Sequence, residues 1–128
     1  MDAGGLLSFW LAAHQYVFRV GLLITVIVGI WGLVTYFQKQ QASGGYRSLL
    51  VITEGVFILQ GLVGIGLFLG GRRPHDGLHW LYGILLVIAL PIAATYASGH
   101  EGRRESLVYG IAGLFMAGLA IRAFTTGA

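Results

Sequence analysis

The sequence predicts an all-α integral membrane protein, folded as an antiparallel up-down-up-down four-helix bundle. Three observations predict it. Of the 128 residues, 56% are hydrophobic and only 10% are charged, whereas soluble domains carry about 25% charged residues. The apolar residues gather in four runs of the length that a membrane crossing needs, roughly 18 residues or more. The connections between these runs are short and polar, and short connections set successive helices antiparallel. A β-barrel would need short alternating segments, and these are absent. Residues 1–128 read as one transmembrane domain, with no linker or low-complexity tail.

The first helix is expected from about Leu6 to Phe37, longer than one crossing requires, so it should tilt or project. His14, Gln15 and Arg19 lie in its first half. QKQQASGGYR follows as a polar, glycine-containing turn. The second helix is expected from about Ser48 to Gly70, with Glu54 and Gln60 inside it. GRRPHDG forms the next connection, and Pro74 suits the first turn of the third helix, where its missing N–H costs nothing. That helix should run to about Ala97, with Pro91 kinking it. After SGHEGRRES, the fourth helix should run from about Leu107 to Phe124. The small residues Gly61, Gly64, Gly110, Gly113, Ala117 and Ala120 let helix backbones approach closely in lipid.

Four crossings put both termini on one side. Loops 1 and 3 carry Lys39, Arg47, Arg103 and Arg104, and the terminal side carries Arg72, Arg73 and Arg122, with Arg19 nearby inside the first helix. The positive-inside rule then assigns loops 1 and 3 to the cytoplasm and both termini to the outside of a cell inner or plasma membrane. The N-terminal segment lacks a basic leader, so no cleavable signal peptide is expected. With no cysteine, disulfides, thiolate metal sites and cysteine nucleophiles are excluded. A net charge of +3 points to topology and anionic lipid rather than nucleic acid.

The stretch GRRPHDGLHWLYG, Gly71 to Gly83, concentrates the polar chemistry. Polar groups at a membrane edge are costly, and their presence suggests function. His14 lies roughly two turns into the first helix and His79 more than one turn into the third. These two helices are co-directional and face each other diagonally, so both imidazoles can reach one iron from opposite sides. Gly21 and Gly83 leave room below the ligands. On the second helix Phe57, Gly61, Gly64 and Phe68 share a face, where glycines admit a flat macrocycle and phenylalanines pack its edges. Arg72, Arg73 and Arg122, with Arg19, stand at the level of anionic propionates. One heme b is the expected cofactor. A lone histidine at an interface is commonly an anchor, but two at matched depth argue for a ligand pair. In an alternative, His75 replaces His79. In another, His14, His75 and His79 hold zinc or copper, without an acidic or thiolate partner. His100 reads as a solvated loop residue.

The segments HQYVFRVGLL, LQGLVGIGLFLGG and PHDGLHWLYG together resemble one four-helix half of heme A synthase, and more loosely other membrane b-type cytochromes. The resemblance covers about residues 14 to 90. It implies that His14 and His79 are the ligand pair and that the heme lies toward the extracytoplasmic side. Gln15 stands where that family has an arginine, the long acidic extracytoplasmic loop is missing, and one half is present rather than two. What the resemblance then implies is heme binding rather than synthase chemistry.

Glu54 lies about two turns inside the cytoplasmic edge, where a carboxyl is expected to be neutral or paired, with Tyr36, Tyr96 and Tyr109 near its level. It reads either as a proton or quinone site, or as a hydrogen bond tying helix ends. Trp10, Trp80 and Tyr82 form an interface belt near the histidines. The expected function is electron transfer between a quinol pool or a redox protein and this chain, alone, as a homo-oligomer or within a larger membrane complex. The alternatives are a non-catalytic assembly subunit and a heme-modifying enzyme.

Overall fold

The computed structural model describes residues 3–40, 42–71, 77–97 and 103–127. They form four helices: α1 (Ala3–Phe37), α2 (Gly44–Leu69), α3 (Leu78–Ala97) and α4 (Arg103–Gly127). All four are long and apolar enough to cross a membrane. Their outer faces carry large apolar side chains such as Leu23, Ile30, Leu62, Ile84, Ile92 and Phe115. In water that surface would be heavily penalised, and in hydrocarbon it is at home. The chain is a multi-pass membrane protein.

Going around the bundle, α1 packs on α2 and on α4, α4 packs on α3, and α3 touches α2 only lightly. Neither diagonal pair brings described Cα atoms within 8 Å. The tightest seam is α1 with α4. A methyl added at Gly113 would sit 2.6 Å from the Gly29 backbone nitrogen, and one at Gly32 would sit 2.7 Å from the Gly110 Cα. Four glycines thus bring two backbones into contact, the route to close association when lipid removes the hydrophobic drive between helices. Gly110 and Gly113 stand out in the sequence, but their partners Gly29 and Gly32 are hidden in a run of apolar residues.

Next to this seam, Tyr46 is 1% exposed and its hydroxyl donates to the Val28 carbonyl at 2.8 Å. This ties the start of α2 to α1 and satisfies the phenol inside the core. Leu50, Phe57, Leu86, Leu90, Met116 and Ala120 complete the buried centre.

Helix ends depart from the hydropathy-based expectation because caps, not apolar residues, decide them. α2 begins at Gly44 rather than near Ser48, since the Ser43 side chain accepts from the Tyr46 N–H at 3.1 Å. α1 closes with the Gln40 N–H donating to the Thr35 carbonyl and the Lys39 N–H to Tyr36. Lys39 takes φ +58°, the left-handed conformation that this closure demands. Gly71, at φ +99°, plays the same part after α2. α4 starts at Arg103, a turn earlier than expected, and includes Glu105, which pairs with Arg47 through two hydrogen bonds of 2.9 and 3.1 Å. α3 starts at Leu78. Pro74 lies outside the described residues.

Candidate functional site

α1 has 35 residues and α3 has 20. At 1.5 Å per residue these are about 52 and 30 Å long, and α1 extends beyond α3 at the terminal side. Its overhang lies along the end of α2, where Trp10 packs on Gly66 and Leu7 on Gly70. This changes the expected depths. His14 is eleven residues into α1, whereas His79 is the second residue of α3. The two nevertheless lie level, because the overhang absorbs the difference.

Their rings approach across the diagonal, with centroids 6.1 Å apart and planes at 65°. Two imidazoles on opposite sides of one metal, at bonds of about 2.0–2.1 Å, have centroids about 6.4 Å apart. Both rings are half-buried. His79 Nδ1 lies 2.8 Å from the Ala123 carbonyl of α4. Carrying the proton on Nδ1, it donates there and leaves Nε2 with a free lone pair, the arrangement that usually orients a metal-bound histidine. His14 Nδ1 is buried and has no hydrogen-bond partner. Its ring edge faces Gly64, where an added methyl would lie 3.4 Å from His14 Cε1. From α2, Gln60 Nε2 donates to the His14 carbonyl at 2.8 Å and holds that turn of α1.

The remaining expected residues fall into separate groups. Methyls added at Gly61 or Gly83 would meet nothing within 4 Å, and Gly61 is itself exposed. The room expected at Gly21 is instead taken by Phe57, whose ring tip lies 3.0 Å from where a methyl would stand. Phe57 is therefore core packing between α1 and α2, not the edge of a cofactor cradle. Phe68 packs edge-on against Trp80 at 5.2 Å. Arg122 is exposed, with its guanidinium 5.7 Å from the Tyr82 ring centroid, and Arg19 is exposed on α1. Phe18 stacks on Phe124 at 5.0 Å, which puts Arg19 and Arg122 at similar heights. Arg72, Arg73, His75 and His100 lie outside the described residues. Among the described residues no three His, Cys, Asp or Glu side chains converge.

Sequence reasoning missed two contributors. The Ala123 carbonyl leaves no side-chain signal at all. Gln60 is marked only as a polar residue in an apolar helix, with nothing to say that it reaches the backbone of His14. The orphaned His14 Nδ1 and the His79 ring, anchored at its other nitrogen, are the two described imidazoles here that could hold one metal or cofactor between them. No protein-family model, curated protein or solved structure matches this chain.

Proposed function

We propose that this protein is a membrane b-type cytochrome in which His14 and His79 would hold one heme b. The observation that carries the reading is the 6.1 Å approach of two imidazoles from diagonal helices. A heme held by two histidines would supply one-electron transfer rather than oxygen activation. The protein residues set the conditions. Ala123 and Gln60 orient the ligand-bearing turns, through His79 Nδ1 and the His14 carbonyl respectively. Gly61, Gly64 and Gly83 keep side chains away from the ligand level. Arg19 and Arg122 provide cations for the propionates, and Arg72 and Arg73 are expected from the sequence alone to add two more.

The likeness of three segments to heme A synthase supports heme binding, while Gln15 and the short connections argue against that family's oxidative chemistry. The heme would exchange electrons with a quinol pool or a redox protein, the chain working alone, as a homo-oligomer or as one subunit of a membrane complex. The charge pattern supports an inner or plasma membrane with loops 1 and 3 cytoplasmic and both termini outside.

The test is a reduced-minus-oxidised absorption spectrum of the purified protein. Bis-histidine b-type bands are expected, lost in His14→Ala and in His79→Ala and kept in His100→Ala. Absence of heme after expression with ample heme supply would overturn the reading and leave a scaffold subunit. Loss of the bands in His75→Ala but not in His79→Ala would move the second ligand to His75.

A further inference from the structure

A second polar feature lies inside the membrane span, away from the histidine pair. Glu54 is ten residues into α2 and about two turns inside the apolar part of that helix, within a hydrocarbon core about 30 Å thick. Its Oε2 is buried and has no hydrogen-bond partner. Isolated carboxyls at such depth are costly and mark functional sites by default. Of the three tyrosines near its level in the sequence, Tyr96 is 65% exposed and the Tyr36 ring packs on Phe37. Tyr109 of α4 lines the same cavity as Glu54.

That cavity has a volume of about 210 Å³ and lies between α2 and α3, the neighbouring helices that touch least. Leu50 and Leu90 form its buried floor, and Val51, Pro91 and Ala94 its exposed rim. It therefore opens sideways onto lipid. Its occupant must dissolve in the bilayer, lie flat against an apolar wall and present oxygen to one carboxyl and one phenol. An acyl chain meets the first demand but leaves Glu54 unsatisfied. A phospholipid head group does not reach this depth.

We propose that Glu54 and Tyr109 bind the ring of a membrane-dissolved quinone or quinol in the cleft between α2 and α3. A protonated carboxyl donates to a quinone carbonyl, and a carboxylate accepts from a quinol hydroxyl, so one side chain serves both forms. The proposal gives a place to the quinol partner named in the cytochrome reading and rests on that reading for its redox role. Binding itself requires neither His14 nor His79.

The experiment is calorimetric titration of the whole chain in detergent micelles with a short-tailed benzoquinone, alongside an alkylbenzene of the same tail. One saturable site is expected for the quinone. Glu54→Leu should weaken it roughly tenfold or more, and Tyr109→Phe several-fold. Ala94→Phe, which fills the rim and leaves the carboxyl in place, should block binding without lowering the unfolding temperature. Unchanged affinity in Glu54→Leu, equal affinity for the alkylbenzene, or no saturable binding by the parent each overturns the proposal. Heme is read separately from the spectrum. Quinone binding by a protein that takes up no heme overturns the cytochrome reading and leaves this site standing. Heme uptake without quinone binding does the reverse.

Discussion

Two glycines of α4 should respond in opposite directions to the same substitution. Gly118 is exposed, and a methyl there meets nothing within 4 Å. Gly118→Ala should stabilise the protein by about 0.8–1.0 kcal/mol, the difference in helix propensity. Gly113→Ala gains the same propensity. However, its methyl stands 2.6 Å from the Gly29 nitrogen, 2.8 Å from Val28 Cγ1 and 2.9 Å from the Gly29 Cα. Two of these three atoms are backbone, so no rotamer change relieves the clash. Restoring an ordinary 3.4 Å contact requires α1 and α4 to part by about 0.8 Å along the seam. Overpacking of this kind costs about 1–3 kcal/mol. The propensity gain cancels between the two variants, so their stability gap isolates the steric cost. Thermal unfolding in detergent should separate them by several degrees, with Gly113→Ala the lower, since each kcal/mol moves the midpoint of a domain this size by about 3–5 °C. If Gly113→Ala unfolds at or above the temperature of Gly118→Ala, the close-contact account of the α1–α4 seam is wrong. The seam bears on the site as well, because α4 carries the Ala123 carbonyl that anchors His79.

Three further outcomes follow from particular residues. Lys39→Gly should stabilise the protein by roughly 1 kcal/mol, because a left-handed backbone costs a side-chain-bearing residue about that much, and the gain should appear as a higher unfolding temperature. Tyr46→Phe should cost about 0.5–1.5 kcal/mol by the same assay, the usual worth of one buried hydrogen bond, here the 2.8 Å bond to the Val28 carbonyl. Gly61→Leu and Gly83→Leu should fold normally, having open space around them, yet lower the heme content per protein measured by absorbance. Equal heme content in both would remove these glycines from the site.

Much of the architecture was legible from hydropathy, and the errors were of one kind. Four apolar runs with short polar connections mark four antiparallel spans, because every backbone group in hydrocarbon must be satisfied within a helix. Hydropathy does not see where a helix begins outside the lipid. Capped by Ser43, α2 starts at Gly44, four residues before the expected Ser48, and polar Arg103 to Ser106 form the first turn of α4. The histidine pair was legible from diagonal topology and depth. Gly21 was not correctly readable, since periodicity shows that it shares a face with His14 but not that Phe57 occupies the space beside it.

By itself, then, the sequence determined the membrane class, the number of helices, their alternation and the two helices that bring histidines to one level. These follow from composition and chain order, through local physics acting on each segment. Only the tertiary structure decided which glycines are contact points and which are open, that His79 leans on a carbonyl of α4, and that Glu54 and Tyr109 share a cavity. Those facts depend on how far each helix is turned about its axis and slid along its neighbour. Rotation and offset are set by packing summed over whole faces, and in an apolar helix no single residue announces them.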